Sequence, residues 1–583
     1  MEIINKSKSI LLLVSILLAQ HLFSIDNEYD GRHGWPVQKA PAKIIVCEKA
    51  KNFQEAMLLE SLSGLAAQAV NNGTFNEMVW IEVDNESYRR IYQQTLEVLK
   101  INSVRKMNAW ELLEYLKKRN VVKGYILYKQ DKLGRNPYAS YKDTDYSSNV
   151  ATVYASLLKG VLIDESLEEM AKNQKLKLLK DARTESPDEC FSKNKNKLNN
   201  HSALSIPPAV TNLRDYAIAQ KLMLYADQKE LIGKVLEWVE PLSPILGWGC
   251  GDEFDFTSVI SLWGHYNTAT NWCWNLPLIS SVGNKAVLKK INEISLNEIN
   301  FDISDSFHTF VMSDGDNVQW TMSNLLESRA YLGSPNRDIV NLTWTLCPVN
   351  LSVVSPYSWN AIAEVHNKNF TFLEYGGGYQ YPDIFAQYRP NRLELVRKFA
   401  ARMDYHFRQL GITVFGFICK NVASNEAQEA FQIYAEEIKG LTGMLAVQYF
   451  PYELEGQIYW KTNLDGIKIP VLTARYSIWN EVNPYRPRAG TPEFVASLIN
   501  RDEIKAKESE NKENLLTWTM VHSWSDFSKT SRFTEKPAIG VNPVKLSKEM
   551  LLDNIKCVSA NELLWRIRMK YQPEQTEKLK IRN

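Results

Sequence analysis

Apolar positions along this chain switch repeatedly between short continuous runs and helical spacing. Residues 43–46 form a β-like run, 53–70 carry apolar side chains at helical spacing, and 78–83 form a second β-like run. The alternation continues with helices over 88–99 and 109–118, a strand over 124–128, a helix near 149–158 and a strand at 160–163. A helix from Ser166 and a strand at Leu178-Leu179 follow. Strand-helix-strand order predicts small α/β units with parallel sheets. Residues 183–202 are polar, rich in Lys and Asn, and carry a proline, and read as a surface loop with one helical turn. Helices over 212–226 and 229–239 then lead to Pro241 and Pro244, where we place a domain boundary.

Beyond Pro244 the rhythm changes. Eight β-like runs, mostly separated by helical or long-loop segments, fall at 245–248, 308–312, 340–346, 370–374, 413–418, 444–449, 470–474 and 516–521. A strand-like turn near Cys557 precedes a helix over 560–569. Eight β units in one α/β region predict a (β/α)8 TIM-like barrel with insertions, with a doubly wound open sheet as the competing arrangement. The expected organisation is a signal peptide at 1–24, an N-terminal α/β domain at 25–120, a second at 121–240 and the barrel domain at 241–583.

In a barrel, function belongs to the loops after the strands' C-terminal ends. Acidic, polar and aromatic residues recur there. Trp248 and Glu253 follow the first run, and Asp314-Gly315-Asp316-Asn317 follows the second. Arg475 and Trp479 follow the seventh, and His522 and Trp524 the eighth. Two carboxylates two residues apart on a glycine turn can share acid/base work or converge on a cation; the competing reading is an Asx turn capping the helix that begins near Val318. Glu253 can pair with Asp314 or Asp316 across the mouth, and glycoside hydrolysis needs two such carboxyl groups. Glu374 stands closest to its strand, yet could pair with Arg475.

The fourth run leads into Gly376-Gly377-Gly378-Tyr379-Gln380-Tyr381-Pro382. Three glycines allow a sharp turn and close approach, and suit either a structural corner or the rim of a sugar cleft. Its place at the end of a barrel strand, among acids and tryptophans, favours a cleft wall to which Tyr379 and Tyr381 contribute.

Composition narrows the partners. With 583 residues, a net charge of +1 and cations spread along the chain, neither nucleic acid nor an anionic membrane is expected. Sixteen Trp and 27 Tyr suit stacking on sugar rings, and core packing uses such rings as well. Lys6 and Lys8 ahead of the apolar run 10–19, with a cleavage site at 22–24, predict export by a signal peptide to the periplasm or beyond. No later run is long and apolar enough to span a bilayer. Seven cysteines fit no metal-binding spacing and read as free thiols, with Cys347 and Cys419 buried. A nucleophile elbow, a phosphate-binding Gly-Lys-Ser/Thr loop and His-Glu-x-x-His are all missing from the sequence, so no cofactor is expected.

Gly376-x-Gly378-Tyr379-x-Tyr381-Pro382 resembles the signature of the GxGYxYP family, a group classed as glycoside hydrolases in exported bacterial proteins. The Asp314 to Asn317 run, Trp248 with Glu253, and His522 with Trp524 look like that family's C-terminal domain, and residues 42–239 resemble its N-terminal domains. The resemblance implies action on carbohydrate but supplies no catalytic residues. Strand-end position and chemistry make Asp316 and Glu253 the carboxylate pair, tuned by Asp314. Asn317, Trp248, Tyr379, Tyr381, Arg475, His522 and Trp524 are the expected substrate-binding residues. The alternatives are a glycan-binding protein without a working pair, or a metal-dependent hydrolase or deacetylase using Asp314, Asp316 and His522.

Overall fold

A computed structural model describes residues 34–283, 285–480, 486–509, 513–530 and 535–582. The expected signal segment lies outside them. Three small parallel sheets come first. In spatial order the first is Glu77–Ile81, Lys43–Cys47, Arg105–Met107, and the second is Gly160–Asp164, Gly124–Tyr128, Leu178–Asp181. The third is Tyr266–Thr268, Pro244–Gly247, Ala203–Ser205, Met223–Tyr225. Their central strands are buried on both faces, which explains the unbroken apolar runs in the sequence. The expected loop at 183–202 holds a helix, Pro187–Asn194. Its proline occupies the first helical turn, where no amide donor is needed, and Ser186 and Glu189 form a reciprocal capping box.

The C-terminal half is one large curled sheet. Its main path runs Lys468–Thr473, Gly443–Gln448, Val414–Cys419, Thr371–Tyr375, Thr343–Leu346, Ser306–Met312, Leu516–Val521, Tyr476–Ile478, all parallel. The first and last of these are consecutive in the chain. Ala474 N donates to Ala446 O (3.2 Å) and Arg475 N to Trp518 O (3.1 Å), so one run of chain bonds to both ends of the curl. On one face, Phe307, Val311, Leu373, Leu445, Val447, Leu472 and Met520 cluster with Leu563, Leu564 and Ile567 of helix Ala560–Tyr571. Residues of the opposite register, such as Phe372 and Phe415, join the larger core under the helices.

The eightfold expectation needs correction. Seven of the expected runs lie in the curled sheet, but the run at 245–248 does not. Its strand, Pro244–Gly247, pairs with Ala203–Ser205 and Tyr266–Thr268 in the third small sheet, which therefore crosses the proline pair. Strands of three residues such as Ala203–Ser205 and Met223–Tyr225 are too short to show a period, and the second lay inside the expected helix 212–226.

The two halves meet at the glycine turn. Gly376, Gly377 and Gly378 have φ of +72°, +71° and +112°, a run that side chains resist. A Cβ on Gly378 would stand 2.8 Å from the Tyr266 ring. Buried Glu374 accepts from Val349 N (2.7 Å) and Gly377 N (3.1 Å), while Arg402 donates to Gly377 O (3.3 Å) and to Asn350 Oδ1 (2.6 Å). The turn delivers Tyr379 to the edge of the third small sheet, where Tyr379 N donates to Asn267 O (2.8 Å) and Asn267 N to Tyr379 O (2.9 Å). Gly378→Ala should therefore lower unfolding stability by roughly 2–5 kcal/mol, from backbone strain plus overpacking. Gly440→Ala, at φ +77° with open space around it, should lose only about 1–2 kcal/mol. Urea unfolding of the two variants checks the contrast.

Candidate active site

Three loops converge on one cleft. The first follows strand Ser306–Met312. Ser313 N donates to Val521 O (2.9 Å) and Ser523 Oγ to Ser313 O (2.6 Å), binding this loop to the one after Leu516–Val521. Asp314 sits in left-handed backbone at φ +66°, its carboxylate accepting from Ser313 Oγ. A Cβ on Gly315 would lie 1.6 Å from Thr345 O, so only glycine lets the loop press this closely on the neighbouring strand. Asp316 is thereby carried into the interior, 5% exposed. Asn317 Oδ1 accepts from Trp320 N (3.2 Å) and caps helix Val318–Ser323, so the capping reading holds for this member of the cluster.

The second loop follows Pro244–Gly247 in the third small sheet. Asp252 caps helix Glu253–Leu262, accepting from Phe254 N (2.8 Å), and Glu253 is the first helical residue. The third loop is the glycine turn. Glu253, Asp316, Tyr375, Tyr379 and Tyr381 line the same cleft, with Thr257, Gly376, Gly378, Gln380 and Ile418 completing its wall. Glu253 reaches it from a different sheet than expected, because Asn267 joins that sheet to Tyr379, and Gln319 N adds a bond to Ala269 O (3.1 Å).

The acids hold their protons tightly. Burial, then the charges of Asp314 and Asp252, push Glu253 up to about 8. Burial, then Glu253 and Asp314, raise Asp316 well above the usual carboxylate range, against an opposing hydrogen bond from Tyr379. Because the charge of Glu253 raises Asp316 and that of Asp314 raises both, the pair keeps a proton at neutral pH. One carboxyl can donate while the other stays ionised.

Rings extend the wall. Trp248 meets Tyr379 edge-on at 4.9 Å, and Phe254 lies 5.7 Å from Tyr381 and stacks on Tyr449 at 4.7 Å. Beyond them Trp479 is held between Tyr452 (5.2 Å) and His522 (3.6 Å), so both its faces are covered. His522 Nδ1 also bonds Ser525 Oγ at 2.9 Å. Trp524, 42% exposed, packs on Trp320 at 4.7 Å, outside the lining of the acid cleft. Arg475 turns away: its guanidinium binds Asp502 (3.0 Å) on helix Pro492–Glu508 and Glu455 O (2.9 Å). Glu374 does not pair with it, being taken up by backbone amides of the turn. Sequence reasoning missed Tyr375 and Phe254, which sit among apolar neighbours and read as core.

The alternative metal set is not assembled. Among the described residues no three His, Cys, Asp or Glu side chains gather as a metal-binding group, and His522 stacks on Trp479 and bonds Ser525. All seven cysteines are free, Cys347 and Cys419 buried. Among the described residues no helix is long and apolar enough to cross a membrane.

Residues 306–541 match the family model described as GxGYxYP putative glycoside hydrolase C-terminal domain. Residues 201–281 match the GxGYxYP third domain and 122–201 the GxGYxYP_N second domain, so the three together span more than half of the chain. No curated protein matches the sequence. The crystal structure of a putative hydrolase from Bacteroides thetaiotaomicron superposes with a TM-score of 0.74 over 92% of this chain and 96% of that one, at 19% identity, a likeness of fold.

The raised Glu253 carboxyl makes a stability prediction. Its folded-state value lies above the unfolded one, so its contribution is fully present below about pH 4.3 and is lost as pH rises toward about 8. Across that window wild type should lose thermal stability relative to Glu253→Gln. Parallel melting curves from pH 4 to 9 measure the difference, and a constant gap would place Glu253 in an ordinary solvated setting.

Proposed function

Since the chain belongs to the GxGYxYP family, we propose that it is an exported glycoside hydrolase cleaving a poly- or oligosaccharide with the Glu253–Asp316 pair. One observation carries the reading: two carboxyl groups from different sheets line one cleft, both held above the ordinary range and walled by the signature tyrosines. Glu253, protonated at neutral pH, gives its proton to the glycosidic oxygen as the bond breaks. Asp316 acts from the other side, as nucleophile in a retaining enzyme or as base on water in an inverting one; product stereochemistry separates these. Asp314 supplies the nearby negative charge that keeps the pair's proton in place. Trp248, Tyr379 and Tyr381 form the sugar wall, and exposed Trp524 offers an outer ring to a longer chain.

In this reading the curled sheet works as a TIM-like barrel, with its chemistry at the carboxyl ends of parallel strands. The first two small sheets are accessory α/β parts. Export rests on Lys6, Lys8 and the apolar run after them. Protonated Glu253 and its partner favour hydrolysis over simple glycan binding, for which no acid is needed.

A panel of polysaccharides and aryl glycosides should reveal a substrate released by wild type. On it, Glu253→Gln and Asp316→Asn should each lower kcat/KM on the order of 10²–10⁴-fold. Wild-type activity should fall as pH rises through about 8, where Glu253 loses its proton. Full activity in both variants would remove the pair from the mechanism.

A further inference from the structure

Tyr375 is the last residue of strand Thr371–Tyr375 and shares the inner face of the curl with Leu373. Its partner on the next strand is Gly416, where a Cβ would stand 2.7 Å from the tyrosine ring. The ring therefore lies on a bare Cα, and its direction is set. The residue is 4% exposed and lines the cleft with Glu253 and Asp316. Its hydroxyl has no hydrogen-bond partner in the protein. The Tyr381 hydroxyl in the same wall is also unbonded, but there Glu253 is the acid that acts on it, whereas Asp316, Asp314 and Glu253 all act on Tyr375.

A buried hydroxyl left unbonded is destabilising, and such groups in native proteins are rarely without a reason. Here the surroundings supply one. Asp316, Tyr452, Asp314 and Glu253 all lie close enough to act on the phenol's charge, yet none is bonded to it. Burial first, and then those groups, push the phenol well above its ordinary value, so the hydroxyl keeps its proton and has it to donate. A donor that lines the cleft with two carboxyls, and has no acceptor of its own in the protein, is matched to an oxygen that arrives with the substrate.

We propose that Tyr375 is a further catalytic residue, its O–H donating to the sugar hydroxyl beside the reacting carbon held between Glu253 and Asp316. The inference rests on the glycoside hydrolase reading above. Hydrogen bonds at that position strengthen as positive charge develops on the sugar ring, so the effect belongs mainly to kcat.

Tyr375→Phe removes one oxygen and keeps the ring. On the aryl glycoside or polysaccharide that wild type cleaves, kcat/KM should fall on the order of 10- to 100-fold, mostly in kcat, with a melting temperature equal to or above wild type. Activity equal to wild type, on a substrate that Glu253→Gln fails to cleave, would overturn this role and leave the hydrolase reading standing. Wild type that neither binds nor cleaves any sugar of the panel would overturn both. A lowered melting temperature would also overturn the role, since it would mean the hydroxyl bonds within the protein.

Discussion

One backbone contact sets the geometry on which the rest depends. At Tyr379 a loop of the curled sheet becomes, for a single residue, the edge partner of Asn267 in a separate four-stranded sheet. Reaching that edge takes three consecutive glycines in left-handed backbone, a conformation that a flexible chain would not hold unaided. Glu374, Arg402 and Asn350 hold it, all three buried, each bonding the turn or one another. The signature glycines are thus a structural corner and the tyrosines after them a cleft wall; the two readings are parts of one device. The corner's position decides which acids meet.

Burial alone does not mark an acid as functional here. Glu374 and Glu253 are both pushed up to about 8, chiefly by burial. Glu374, however, spends its two oxygens on the amides of Val349 and Gly377 and faces no cleft. Glu253 and Asp316 line the cleft, and the charge of Glu253 acts on Asp316. The distinction lies in what the oxygens touch. Two buried carboxyls in one cleft oppose folding, and packed cores and buried ties elsewhere must offset them.

Much of this was legible in the sequence, for physical reasons that also explain the gaps. Long buried helices such as Phe53–Asn71 and buried strands such as Gly124–Tyr128 announce themselves by spacing and run length. The acid cluster and the signature stood out because glycine, aspartate and tyrosine at a strand end are poor core material. Three-residue strands carry no period, so the third small sheet was invisible and Pro244–Gly247 was assigned to the wrong neighbours. Arg475 misled because a strand-end arginine looks the same whether it turns toward a cleft or, as here, toward Asp502. Tyr375 escaped notice because a tyrosine closing an apolar strand resembles packing until its hydroxyl is seen to lack a partner.

The join between the sheets also changes what counts as the unit that builds the cleft. Glu253 rides on a strand held by Ala203–Ser205 and Tyr266–Thr268, whereas Asp316 rides on the curled sheet. The distance between the two carboxyls is therefore a property of how the sheets are joined, through Asn267 with Tyr379 and Gln319 with Ala269, more than of either sheet alone. In glycoside hydrolysis that separation selects between direct attack by a carboxylate and attack by an intervening water. A division of the chain at the proline pair would leave Glu253 with the C-terminal part and strip Ala203–Ser205 and Met223–Tyr225 from the sheet that positions it. The four-stranded sheet is better regarded as half of the cleft than as a neighbour of it.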